Sequence, residues 1–330
     1  MQTRYARISI KVLVRQLILP LLLSCLGLVA RLTATEFDPG KVGFTVKVDD
    51  LQVNYRLMSK FVLPGQMVGF TVDATSRPAG CEFLFDAGEV LTQTAHSWKW
   101  QAPVAAGLYT AAITCPDLPD TMVLKLFVMM PLSEVKDGSL NGYRIGKYPI
   151  KPYKGLPQYK PPPGFIEVTL ENKEMLISPH FRLGQFLCKQ EGTWPKYVVL
   201  QEKLLLKLEM LLQLVNEAGY TCQTFNVLSG YRTPHYNAAI GNVKYSRHQW
   251  GGAADIFIDE APADDMMDDL NGDGNSDWRD AKVIYDLIDN QYGTKRYRPF
   301  VGGLGRYRRT ANHGPFVHID VRGFRARWGD

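Results

Sequence analysis

Residues 229–255 read SGYRTPHYNAAIGNVKYSRHQWGGAAD, and the reading of this stretch decides the fold of the C-terminal half. It sets Arg232, His248 and Asp255 within one short span, and a second histidine and carboxylate, His318 and Asp320, follow in FVHIDVRG at 316–323. Metal-assisted hydrolysis needs about three nitrogen or oxygen ligands from the chain and an open position for water. His248, Asp255 and His318 supply that set. Taken singly, each has an ordinary reading, since a lone histidine is more often a satisfied polar group than a ligand. Their joint spacing gives them value.

His248 and Asp255 are seven residues apart, which a continuous helix could align, but Trp250-Gly251-Gly252 favours a turn between them. The simpler geometry is a loop histidine beside a strand carboxylate. Residues 224–228, 253–258 and 316–321 are rich in Val, Ile and Phe and read as strands. The first would deliver Ser229 and Arg232 to its end. On the last, His318 and Asp320 at i and i+2 project from one face. Upstream, Leu200, Leu204, Leu208, Leu211 and Val215 recur at helical spacing, with Gly219 placed as a C-terminal cap. This pattern is a core helix and not a cofactor box.

The series SGYR, SRHQWGGAAD and FVHIDVRG, with SPHFRLGQF at 178–186, resembles the zinc peptidase family of D-alanyl-D-alanine carboxypeptidases and murein endopeptidases, in particular its bacterial branch ending in an HxD strand. The likeness covers residues 178–328. It implies an α+β zinc peptidase domain of the D-Ala-D-Ala carboxypeptidase/hedgehog-like type over residues 165–330. It further implies Zn2+ held by His248, Asp255 and His318, with Arg232 binding a substrate carboxylate or polarising the scissile carbonyl, and Tyr231 and Ser246 shaping the substrate pocket. The implied partner is peptidoglycan, and the implied reaction is hydrolysis of its stem peptides or cross-links. Many relatives place an acidic general base three residues before the last histidine ligand, and this chain has Pro315 there. Asp320 is the substitute base, His313 is the rival, and Asp320 could instead orient a ligand from behind. The competing class is a wall-binding or adhesion protein that keeps the fold without turnover.

Residues 269–280, DLNGDGNSDWRD, form a second candidate metal site. Asp269, Asn271, Asp273, Asp277 and Asp280 occupy positions 1, 3, 5, 9 and 12 of a calcium loop, Asn275 stands at position 7, and Gly274 takes the sharp turn at position 6. The expectation is a structural Ca2+ in an insertion beside the zinc pocket, with a helix over 280–290 following it.

Residues 36–131 contain short apolar or alternating runs at 43–48, 52–57, 67–72, 81–85, 107–115 and 122–129, separated by turn residues such as those at 64–65, 77–80 and 116–117. Such spacing predicts an all-β sandwich of immunoglobulin-like type, with Trp98 and Trp100 filling its core. No catalytic constellation occurs there. Residues 132–164 hold Pro161-Pro162-Pro163 among other prolines, glycines and lysines, which resist helix and read as an interdomain linker. Its aromatic part, 142–149, could instead pack on the second domain.

Composition sets the outer bounds. The 330 residues include 38 Lys and Arg against 33 Asp and Glu, a formal charge of +5. So mild and scattered an excess argues against nucleic acid and suits an anionic polymer such as a cell wall. Arg4, Arg7, Lys11 and Arg15 precede an apolar run over 17–30, the order of an export signal, which places the protein in the periplasm or cell envelope. Membrane association through residues 1–35, as an anchor or by lipidation of Cys25, is the second expectation. The remaining cysteines fall in pairs, Cys81 with Cys115 and Cys188 with Cys222, and an oxidising compartment would permit both disulfides. Buried free thiols are the alternative.

Overall fold

The computed structural model describes residues 36–73 and 80–329, and from Phe37 onward the chain forms one compact unit. The export signal or anchor expected within residues 1–35, with Cys25, lies outside the described residues, as does most of the turn expected at 77–80. Among the described residues no helix is long and apolar enough to cross a membrane.

The first part is built from β1 (Lys41–Val48), β2 (Leu51–Tyr55), β3 (Leu57–Val62), β4 (Met67–Val72), β5 (Glu82–Phe85), β6 (Glu89–Gln93), β7 (Ser97–Gln101), β8 (Gly107–Thr114) and β9 (Thr121–Val128). They form a five-stranded sheet in the order β2-β1-β4-β7-β6 and a four-stranded sheet in the order β3-β9-β8-β5. Strict alternation drives the packing: Val42, Phe44, Val46 and Val48 of β1 all face inward while the residues between them do not. Phe83 of one sheet meets Phe70 and Trp98 of the other at ring separations of 4.9 and 5.7 Å, so the two sheets share a core. Trp100 is fully buried and its Nε1 donates to the Ala87 carbonyl, which removes the cost of burying a polar edge. Three strands escaped the sequence reading. The segment that forms β3 continues directly from β2, and β6 and β7 are short, with only every second residue of β7 apolar.

Cys81 and Cys115 are bonded and flank the β5·β8 pair, so this bridge ties neighbouring strands of one sheet. The second disulfide is not present. Cys188 and Cys222 are separate buried thiols, the first beside the Gln190 side chain and the second directed at the Thr224 carbonyl at 3.3 Å. Burial pushes both thiols up, which leaves them protonated and inert.

Residues 132–164 are a packed strap rather than a free spacer. The chain passes through β10 (Met130–Pro131), β11 (Ser139–Leu140), β12 (Tyr143–Arg144), β13 (Gly164–Val168) and β14 (Lys196–Val198), and Leu140, Tyr143, Ile145 and Tyr159 are buried along the way. Prolines keep regular pairing short because they lack an N–H. Backbone carbonyls of the strap therefore find side-chain donors: Arg247 donates to Gln158 O at 2.6 Å and Trp250 Nε1 to Lys160 O at 2.9 Å.

The remainder is a mixed α+β assembly. Helix α1 (Glu202–Glu217) is buried on nearly every side, as its leucine-rich sequence requires. It ends in a Schellman cap, Tyr220 N–H to Val215 O and Gly219 N–H to Asn216 O, with Gly219 at φ +92°. After β15 (Asn226–Ser229) come α2 (Pro234–Ala239), β16 (Ala253–Phe257), α3 (Trp278–Asp289), β17 (Gly303–Tyr307), β18 (Phe316–Asp320) and β19 (Ala326–Trp328). The five strands form one sheet in the order β15-β16-β18-β17-β19, antiparallel except for the β17·β19 pair. The α1 helix lies between this sheet and the sandwich: Glu202 accepts from Phe61 N–H, and Lys207 Nζ donates to Asp320 O.

Candidate metal centre

Strand register assembles the site. Asp255 on β16 stands directly opposite His318 on β18 and opposite Ser229 on β15, so their side chains rise from one face of the sheet. His248 enters from above, on a single 3-10 turn, Arg247–Trp250, that ends at Gly251 with φ +60°. A Cβ at Gly251 would lie 2.1 Å from the Val199 carbonyl oxygen, so only glycine permits this approach.

Among the described residues, His248, Asp255 and His318 are the one group of His, Cys, Asp or Glu side chains whose ligand atoms gather closely enough to share a metal ion. His318 Nδ1 lies 2.7 Å from Asp255 Oδ1 and 3.2 Å from His248 Nε2, and His248 Nε2 is 3.2 Å from the same carboxylate oxygen. The outer nitrogens fix the tautomers. His248 Nδ1 faces the Gly230 carbonyl at 2.7 Å, which can only accept, and His318 Nε2 faces Asp320 Oδ2 at 3.3 Å. With those nitrogens donating, neutral rings turn two lone pairs and a carboxylate oxygen toward one point. Three acceptors so placed repel one another unless a cation or a shared proton lies between them, and the donor set suits Zn2+.

Electrostatics follow from this crowding. Burial pulls His248 down, the expected direction for a ring that must stay neutral to ligate. For His318 burial acts the same way, but hydrogen bonding to Asp255 and Asp320 and the charge of both carboxylates outweigh it and raise the pKa. Asp255 is pushed up by burial and pulled further down by His248 and His318, so its carboxylate stays ionised.

The remaining expected residues divide sharply. Arg232 Nε donates to Ser229 Oγ at 2.8 Å and a terminal nitrogen to Asp255 Oδ2 at 2.6 Å, so it steadies a candidate ligand, and among the described residues its other terminal nitrogen makes no hydrogen bond. Ser246 is nearly buried and borders the cleft. Tyr231 does not meet the expectation of a pocket residue. It is 1% exposed, its hydroxyl pairs with that of Tyr148 at 2.8 Å, and it faces the strap instead of the cleft.

Asp320 likewise is not placed to act as base. It is fully buried, accepts from the backbone N–H groups of Gly303 and Arg322 and from the Arg322 guanidinium, and stands behind His318. Against the upward push of burial, His318 and Arg322 hold its carboxyl well below the usual range. A Cβ at Gly303 would meet Asp320 Oδ2 at 2.4 Å, which explains why glycine lies under the carboxylate. The geometry is that of a carboxylate orienting a histidine ligand.

The 269–280 loop turns its carboxylates inward. Asp269 accepts from the N–H groups of Gly272, Asp273 and Gly274. Asp280 accepts from those of Leu270, Asn271 and Asp277, and with Asp277 forms a capping box at the start of α3. Asp273 and Asp277 both pair with Arg279.

A cleft of about 1050 Å³ opens over the triad. Sequence reasoning missed several residues that line it, among them Tyr153, Lys189, Lys244, Tyr307 and Arg322. Tyr307 ends β17, and the others come from the strap and from loops with no periodicity to mark them. His313 also lines the cleft, packed edgewise on Phe316. Its Nδ1 lies 2.8 Å from Gly314 O, which can only accept. No family model, no curated protein and no solved structure matches the chain.

Proposed function

We propose that this protein is an exported zinc peptidase of the D-Ala-D-Ala carboxypeptidase and murein endopeptidase type, acting on peptide bonds of peptidoglycan. The observation that carries the reading is the convergence of His248 Nε2, His318 Nδ1 and Asp255 Oδ1 within 3.2 Å, at the floor of a cleft and beside Arg232. Bound there, zinc would supply Lewis-acid polarisation of a carbonyl and acidify a water molecule. The chain's own groups do the rest. Gly230 O and Asp320 orient the two rings, and Arg232 keeps Asp255 in place and offers its free nitrogen to developing negative charge. His313, which lines the cleft, is the base that takes the proton from water and returns it to the leaving amine. The Cys81–Cys115 disulfide supports a location outside the cytoplasm.

Calcium in the 269–280 loop belongs to the same reading, supported by its oxygen-bearing residues and by the left-handed Gly272 and Gly274. Titration calorimetry with calcium tests it, and a flat isotherm with no rise in melting temperature removes it.

The deciding experiment digests purified peptidoglycan with the wild-type protein, with and without chelator, alongside His248→Ala. New muropeptides that vanish with chelator and in the variant are the expected result. A zinc-loaded wild type that releases none leaves a wall-binding protein without turnover.

A further inference from the structure

The cleft is far more cationic than the chain that forms it. Its lining includes Lys189, Arg232, Lys244, Arg247 and Arg322, against a single carboxylate, Asp255, whereas the chain as a whole has 38 basic and 33 acidic residues. Three of the five cations are already engaged. Arg232 serves Asp255, Arg322 pairs with Asp320, and the buried Arg247 donates to Gln158 O and lies over the Tyr159 ring at 4.6 Å. Lys189 and Lys244 are different: both are exposed, and among the described residues neither has a carboxylate within ion-pairing distance. The Lys244 ammonium lies over the Tyr245 ring, 5.6 Å from its centre. They reach the cleft from separate segments, Lys189 following the 3-10 turn Leu183–Phe186 and Lys244 preceding the turn that carries His248.

Two unpaired ammonium groups at the rim of a concave site raise the local concentration of anions and discriminate by charge, most strongly at low salt. Their place around the triad, rather than along an outer ridge, fits a short anionic ligand seated over the metal site better than a polymer lying across the surface. The geometry points to Lys189 and Lys244 as specificity residues that select peptides bearing free carboxylates beside the bond placed over the triad. This rests on the peptidase reading and names the charge of its substrate.

The test uses the full-length zinc-loaded protein and two synthetic stem pentapeptides that differ only in carrying side-chain carboxylates or the corresponding carboxamides. The expected result is a KM at least about fivefold lower for the acid form at low ionic strength. That preference shrinks at high salt and disappears in the Lys189→Gln/Lys244→Gln double variant. Equal KM values for the two peptides overturn the inference and leave the peptidase reading intact. If neither peptide is cut, the peptidase reading fails, and tryptophan fluorescence titration of both peptides into chelator-treated protein still decides the charge preference. Lysine-dependent binding of a polyphosphate, with no difference between the peptides, overturns the inference in favour of a polyanion surface.

Discussion

At the residue scale, the two candidates for the base make opposite predictions. Asp320 is enclosed by Gly303, Arg322 and His318, so Asp320→Asn removes a buried charge from its partners. Its expected effects are a loss of roughly 3–5 kcal/mol of stability and a fall of about 10–100-fold in zinc affinity, read by chemical denaturation and metal titration. His313 lines the cleft and is not among the three clustered residues. His313→Gln is expected to keep zinc content and folding and to lower kcat by about 10²–10⁴-fold. A variant at His313 that turns over normally would return the search for a base to the cleft's other groups.

At the element scale, the short turn carrying His248 is held by backbone geometry. Gly251→Ala forces a Cβ into the Val199 carbonyl at a left-handed φ, so the turn must shift and take His248 with it. A destabilisation of about 2 kcal/mol or more, with weakened zinc binding, is expected in thermal unfolding and metal titration. The α1 helix carries a second consequence. Burial pushes Lys207 down to about 7 although its Nζ donates to Asp320 O. Between pH 7 and the ordinary lysine range the unfolded chain holds a proton that the folded chain does not, so stability rises with pH across that window. Denaturation at pH 7, 8 and 9 should show an increase of at most about 1.4 kcal/mol per unit, which Lys207→Met abolishes.

For the whole molecule, the strap makes the two parts interdependent. Leu140, Tyr143, Ile145 and Tyr159 are buried, and Arg247 and Trp250, which flank His248, donate to strap carbonyls. Ser59 of β3 donates to Ile177 O, and His180 joins Glu209 of α1 to the Asp38 carbonyl. Residues 165–330 expressed alone would expose that apolar surface and leave a buried arginine without its carbonyl. The expected outcome is an aggregated or molten fragment by near-ultraviolet circular dichroism and size exclusion, whereas residues 36–330 fold. A monomeric, zinc-binding fragment would show that the strap is dispensable.

Local pattern alone carried much of this. Alternating runs marked six of the nine sandwich strands, leucine periodicity marked α1 with its Gly219 cap, and the spacing of Arg232, His248, Asp255 and His318 marked the site, because period and turn chemistry are properties of neighbouring residues. What depends on distant segments was hidden. No spacing shows that Cys188 and Cys222 lie apart, that the proline-rich stretch is a wall of the cleft, or that Tyr231 turns to Tyr148. The sequence by itself determined which residues are candidate ligands and the strands that bear Asp255 and His318. Only the tertiary structure decided that Asp255 faces His318 across two strands and that Arg322 and Gly303 claim Asp320, because register and burial arise from contacts between residues far apart in the chain.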